Sequence, residues 1–421
     1  MDLSDHLFRH EYGRMVATMT RLLGVRNLIL AEDVVQDAFC RALEVWKFRG
    51  VPENPSAWLM ATAKNRALDL LRRDRTADRY EPELSRILQS EWTLAPAVDE
   101  LLIKNAVKDD ELRMMFSCCH PRLPVQAQIA LILSILCGFS VIEIANAFVS
   151  SHAAIEKRIT RAKKVLAGSK RLFEITDKEV IARISSVHQA LYLLFNEGYH
   201  GGSPGVAVRS ELCHEAMRLA ALLLDRPASA TPATYALSAL MCFGAARLPT
   251  RLGGMGELLS MFEQDRSLWD QQLIDEGLKL LEFSATGSEL TEFHIEAAIA
   301  SVHALARRVE ETDWRQIVSL YNQLSAMRPT PVIALNRAIA IGQYQGPERG
   351  LQEIRAIPGA KRLAKYPFYF AALGEFELRR GMRDVARHHF QAALVLARNE
   401  MEQRFLEGRS RVCEVRVACR D

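Results

Sequence analysis

Aromatic residues are scarce, at 7% of the chain, and strand-like alternation of apolar and polar residues is rare. Both absences speak against a β-sandwich or barrel. The 15 prolines are thinly scattered, which excludes collagen-like or proline-rich character. No charge of one sign dominates: 54 basic residues face 51 acidic ones, a net +3, so bulk charge selects no partner. No apolar run approaches the roughly 20 residues of a membrane span; the longest is Ile129–Phe139. The opening stretch MDLSDHLFRHEYGR is polar and charged, unlike a secretory leader or anchor. Eight cysteines without a CxxC pair are too few for a disulfide scaffold, so a reducing, cytoplasmic setting is expected, with no membrane contact.

What is present is helical periodicity along nearly all of the 421 residues. With 49% hydrophobic and 25% charged residues, the composition is that of an ordinary folded protein. The fold class expected is all-α. Length alone suggests roughly three domains. A stretch from Asp78 to Asp110 is irregular and acidic, with Pro82, Pro96, Asp99, Glu100 and Asp109, and reads as a linker with room for a short helix.

Before that linker, Leu30, Val34, Ala38, Ala42 and Trp46 recur every four residues, with Val35, Phe39 and Leu43 beside them, as one apolar helix face. Asp33, Gln36, Asp37, Cys40 and Glu44 take the opposite, acidic side. Gly50, Pro52 and Pro55 then break the helix, so Lys47–Pro55, which carries Phe48 and Asn54, reads as a loop. Ser56 is placed to cap the next helix. Its inner face is Trp58, Leu59, Thr62, Ala63, Ala67, Leu70 and Leu71; Lys64, Asn65, Asp69 and Arg72 lie outside, with Arg66 and Arg73 at the border. An exposed aromatic followed by Lys, Asn and Arg suits single-stranded nucleic acid, where rings stack on bases and cations meet phosphates. An ordinary solvated helix face would show the same pattern.

After the linker, Val125–Cys137 reads as a helix closed by Gly138. Ser140 with Glu143 has capping-box spacing for a short helix through Phe148, and Ser151 caps a third from His152 to about Ala167. Two short helices joined by a tight turn, the second basic, form a helix-turn-helix pattern. From Ser151 to Arg171 the basic residues are Lys157, Arg158, Arg161, Lys163, Lys164, Lys170 and Arg171, against one acid, Glu156. Residues at the start of that helix would face base edges and later cations would reach phosphates.

Taken together, AEDVVQDAFCRALEVW (31–46), NPSAWLMATAKNRALDLLRR (54–73) and SVIEIANAFVSSHAAIEKRITRAKKVL (140–166) resemble an extracytoplasmic-function sigma factor of the sigma-70 family. ELRMMFSCCHPRLP (111–124), LYLLFNEGYH (191–200), EQDRSLWDQQLIDEG (263–277) and TDWRQIVSLYNQL (312–324) resemble a subgroup of it with a long C-terminal extension of tetratricopeptide-like repeats. The resemblance implies sigma domain 2 over 1–78, a linker over 79–110, sigma domain 4 over 111–173, a helical domain of unknown role over 177–295 and repeats over 296–410. It implies no enzymatic activity and no cofactor. Partners would be core RNA polymerase, contacted by Asp33, Gln36 and Asp37, and promoter DNA. The −10 candidates are Phe48, Asn54, Lys64, Asn65, Arg66, Arg72 and Arg73. The −35 candidates are Ser151, His152, Lys157, Arg158 and Arg161. The extension is expected to modulate activity and to offer a surface for a protein partner.

Two or three degenerate repeats fit the tail. Phe370, Leu373 and Gly374 are spaced for a first helix, and Ala386, Phe390 and Ala393 for a second; Asn399 stands where a terminal proline is usual. Ile317, Tyr321, Leu324 and Pro329 fit the end of another repeat, and Val332–Gly359 fits loosely between them. Two alternatives remain on the residues: a helix-turn-helix regulator with a repeat sensor, and an enzyme resting on Glu197 and His200. Cys118, Cys119 and His120 are adjacent, where zinc ligands usually stand two to four residues apart, so a buried thiol pair fits better than a metal site.

Overall fold

Among the described residues the periodicity is realised mainly as helix. The computed structural model describes residues 3–74, 110–148, 150–168, 175–200, 208–254 and 256–414. The 79–110 linker therefore lies outside the described residues, except for Asp110. The chain forms two compact units, residues 1–193 and 194–421.

The first unit opens with α1 (Leu3–Leu23), α2 (Leu28–Arg49) and α3 (Pro55–Asp74). Met15, Val16, Met19 and Leu23 of α1 meet Val34, Val35 and Ala38 of α2 and Leu59, Ala63 and Ala67 of α3 in a core with almost no solvent exposure. Each large side chain so buried contributes about 1.5–3 kcal/mol. Gly50, at φ +79°, ends α2 in a conformation that side chains with a Cβ avoid. The next helix is capped two residues earlier than its sequence suggested. Asn54 Oδ1 accepts from Ala57 N at 3.0 Å, and Pro55, which has no N–H to satisfy, fills the first helical position while Ser56 lies inside.

A helical segment over 110–118 precedes α4 (Val125–Ile135), α5 (Val141–Ala147) and α6 (His152–Ala167). Buried Gln128 donates to the carbonyls of His120 and Leu123 and so fixes the turn before α4. α4 buries nearly its whole surface and ends at Ile135, two residues before the sequence boundary. Ser140 and Glu143 make the expected reciprocal cap of α5, and Ser151 Oγ accepts from Ala154 N at the start of α6. Ile155, Ile159, Ala162 and Leu166 turn the apolar stripe of α6 inward.

The α1–α3 bundle and the helix-turn-helix pack on each other within this unit. A Cβ on buried Gly13 of α1 would stand 2.0 Å from the backbone oxygen of Leu136, so only glycine permits that approach. Arg21 of α1 binds Asp110 at 2.9 Å.

α7 (Asp177–Tyr199) contains the division between the units. The second unit continues with α8 (Ser210–Leu224), α9 (Pro232–Ala245), α10 (Gln271–Ser284), α11 (Glu292–Leu305), α12 (Trp314–Met327), α13 (Pro331–Gln345), α14 (Pro347–Arg355), α15 (Pro367–Arg379), α16 (Arg383–Val395) and α17 (Glu400–Val412). Its cores form a series in which neighbours share a helix. α11 gives Ala297 to a cluster with Phe243 and Trp269, and Ile295, Ile299 and Val302 to the next, with Ile317 and Leu324. α13 gives Ala340 to that second cluster and Leu335 and Ala338 to a third around Ile354 and Phe376. Phe370 of α15 joins the third to a fourth, built on Ala386, Phe390 and Leu406. Asp270, Asp313, Thr330 and Asn399 each cap the helix that follows.

Candidate nucleic-acid interface

On α2 the apolar stripe leaves Asp33, Gln36 and Asp37 in solvent, as the wheel implied. Asp37 is not isolated: Arg66 Nε of α3 donates to its carboxylate at 2.7 Å. A residue expected at the polymerase and one expected at the −10 element are therefore ion-paired. Two assignments on this surface change. Leu43, expected on the apolar face, is 55% exposed, because the stripe follows Ala42 while Leu43 turns outward beyond the core. Lys64, expected outside on α3, is 2% exposed, since it lies beside Ala63 and Ala67 on the buried side. It cannot meet a phosphate in this arrangement.

Phe48, expected in the loop, instead lies on the last turn of α2, because the helix runs on to Arg49 and breaks only at Gly50; it is 85% exposed, with Lys47 6.0 Å from its ring centre. Trp46 and Trp58, whose rings lie 5.4 Å apart, brace the two sides of the loop beneath it. Asn54 is exposed, but its side-chain oxygen is engaged in capping α3. Asn65 is exposed and Arg66 half-buried; Arg72 and Arg73 lie on the last turn of α3.

On α6, Ser151, His152, Lys157 and Arg161 are exposed. His152 Nδ1 lies 3.9 Å from the Glu156 carboxylate one turn on. Arg158 differs: its guanidinium is 5.6 Å from the Phe148 ring centre and its Nη1 is buried. Lys157, Arg158 and Arg161 line a groove of about 490 Å³ with Arg122, Pro124 and Ala127. A row of cations along one helix edge can neutralise phosphates, and the helix start can reach base edges.

Sequence reasoning missed a polar contact that joins two helices of this unit. Lys163 Nζ lies 2.7 and 2.8 Å from the two carboxylate oxygens of Glu32, a neighbour of the polymerase candidates. Burial raises the Glu32 carboxyl above the usual carboxylate range, and Lys163 opposes that rise. Cys118 and Cys119 are buried nearby; burial drives both thiols up, Cys119 to about 12, so neither supplies a ready thiolate. Among the described residues, no cluster of three His, Cys, Asp or Glu could hold a metal ion. In the second unit Glu197 pairs with Arg209 at 3.2 Å, and His200 Nδ1 meets Arg251 Nη2 at 3.1 Å.

Residues 7–77, which hold α1–α3 with the exposed acidic strip and Phe48, match the family described as sigma-70 region 2. The N-terminal bundle is a sigma-70 region 2, which supports a sigma-70 family factor. Sigma-70 factors act in transcription initiation and are not enzymes. Residues 183–285 of this factor match a family of unknown function. The chain is 38% identical over 384 residues to the uncharacterized protein R00370 of Rhizobium meliloti (strain 1021), covering 90% of this chain and 89% of that protein. Among the described residues, no helix is long and apolar enough to cross a membrane.

Proposed function

We propose that this sigma-70 factor is of the extracytoplasmic-function type, binds core RNA polymerase and directs initiation at a subset of promoters. Asp33, Gln36 and Asp37 dock on the polymerase. Phe48, Asn54, Asn65, Arg66, Arg72 and Arg73 engage the −10 element, and Ser151, His152, Lys157, Arg158 and Arg161 the −35 element. The observation that carries this reading is the shared frame of one acidic strip, one exposed aromatic and one cationic helix edge within residues 1–193.

Elements centred about 25 base pairs apart stand roughly 85 Å apart on duplex DNA, at about 3.4 Å per base pair. Glu32 beside the polymerase strip holds Lys163 on the −35 helix at 2.7 Å. Both readers cannot be engaged while that pair is made. Residues 1–193 therefore open when the factor loads onto polymerase and promoter.

The extension is a tetratricopeptide-like array that modulates this step and offers a concave face to a protein partner. The serial cores from Ile295 to Leu406 support it, with Gly374 packed on the Phe390 ring where the two helices of a repeat cross. The deciding experiment is run-off transcription with purified core polymerase and the full chain on a matched promoter. A transcript that depends on the protein is expected; no transcript together with no core binding would overturn the reading.

A further inference from the structure

The second unit contains a row of alternating guanidiniums and aromatic rings that neither sigma function uses. Arg251 stands 4.5 Å from the ring centre of Tyr199, and Arg247 is 5.8 Å from the same ring and 5.3 Å from that of Trp269. Arg266 completes the row, 5.1 Å from Trp269. Tyr199, Arg251 and Trp269 are each at most 7% exposed. Arg251 is thus held away from water, with the half-buried Arg247 and Arg266 beside it.

Glu310 and Glu311 are close enough to act on Arg266, but direct ion pairs are lacking. Among the described residues no carboxylate pairs with Arg247, Arg251 or Arg266, whereas Glu197 is held by Arg209 and Glu402 by Arg398. Arg266 Nη1 caps the carbonyls of His303 and Ala306 at the end of α11, a structural task. Arg247 Nε donates to Gln264. The remaining buried atoms without a partner are chiefly donors: Tyr199 Oη, Trp269 Nε1, Arg251 Nε, and Arg266 Nε and Nη2. Buried donors in a native fold usually have acceptors, so a run of them calls for a ligand that only accepts.

We propose that Tyr199, Arg247, Arg251, Arg266 and Trp269 form a binding site for a small multivalent oxyanion of the phosphate type. Guanidinium forks match such oxygens in pairs. The aromatic faces are already covered by the arginines, so they are not free to stack a base, and the group is recognised by its oxygens. Burial and the neighbouring arginines drive His200 well below its ordinary range and His303 down to about 3, so the histidines stay neutral and the arginines alone carry the charge.

The test titrates the full chain with inorganic phosphate, and separately with succinate, at constant ionic strength made up with chloride. Thermal unfolding and calorimetry are read. Saturable stabilisation by phosphate is expected, with affinity at least tenfold weaker in Arg251→Gln and Arg247→Gln. Removing an uncompensated buried charge should also leave these variants as stable as the parent, or more so, in chloride alone. Should they fail to fold, Tyr199→Phe decides, with a several-fold loss of phosphate affinity expected on an intact fold. A non-saturable shift, equal phosphate affinity in the parent and every folded variant, or saturable binding of succinate in place of phosphate would overturn the assignment.

Discussion

Glu32 and Lys163 stand 131 positions apart in the chain and meet as a two-pronged ion pair that ties the helix of the acidic strip to the basic helix of the helix-turn-helix. With side-chain exposures of 8% and 19%, neither partner is free to exchange its contact for bulk water. Replacing Glu32 by Gln leaves the ammonium without its charge partner. A loss of about 3 kcal/mol is expected, the low end for a buried pair because Lys163 keeps some exposure. If opening precedes loading, the same variant binds core polymerase several-fold more tightly. Urea unfolding checks the first effect and a core titration the second; unchanged or weaker core binding would show that this pair does not restrain the factor.

The acidic strip should fail by charge reversal. Asp33→Lys with Asp37→Lys puts two cations where a basic partner surface is expected, and also frees Arg66 from its 2.7 Å contact. More than tenfold weaker core binding is expected, with the helical circular dichroism of the parent. Retained core affinity would remove α2 from the polymerase interface.

Arg158 and Arg161 should separate in kind. Arg161 is exposed, so Arg161→Ala is expected to weaken all promoters alike and to flatten the salt slope by about one unit. Arg158 also stacks on Phe148, and Arg158→Ala should cost the fold about 0.5–1 kcal/mol besides any loss of promoter choice. Filter binding over a salt series, paired with thermal unfolding, reads both. Identical profiles for the two variants would contradict the division.

His188 of α7 is 2% exposed, and burial lowers it to about 4 from an ordinary 6.5. The unfolded chain takes up its proton near pH 6.5, the folded chain only near 4, so protonation in that window favours unfolding. The stability present above pH 6.5 is expected to fall towards pH 4 by at most about 1.4 kcal/mol per pH unit. His303, lowered to about 3, acts in the same direction. His188→Gln should flatten the acid limb without abolishing it. Urea midpoints at pH 7.5 and 5 measure this, and an unchanged pH dependence would exclude His188 as a source.

Helix positions and most of their ends were legible in the sequence because they rest on relations within one turn. The Ser140–Glu143 box and the Ser151 cap join residues three apart, and the apolar stripe of α6 repeats every three or four residues. The acidic strip of Asp33, Gln36 and Asp37 followed from the same periodicity. Even locally the pattern had limits. Asn54 and Ser56 are both competent caps, and the start of α3 at Pro55 settled the choice.

The amino-acid order alone determined a helical chain with a cationic helix-turn-helix and a break beside an exposed aromatic, since hydrophobic period, caps and breakers act between near neighbours. Tertiary structure decided the rest. Lys64 is buried and Leu43 exposed because a wheel gives angles around a helix but not where its neighbours stop. The Glu32–Lys163 pair and the fit of Gly13 against Leu136 join distant positions, which no local spacing encodes. The row of Arg251, Tyr199, Arg247, Trp269 and Arg266 draws on separate parts of the chain. Its chemistry depends on the water lost around Arg251 and on guanidiniums brought together without a directly paired carboxylate, and these exist only once the chain has folded.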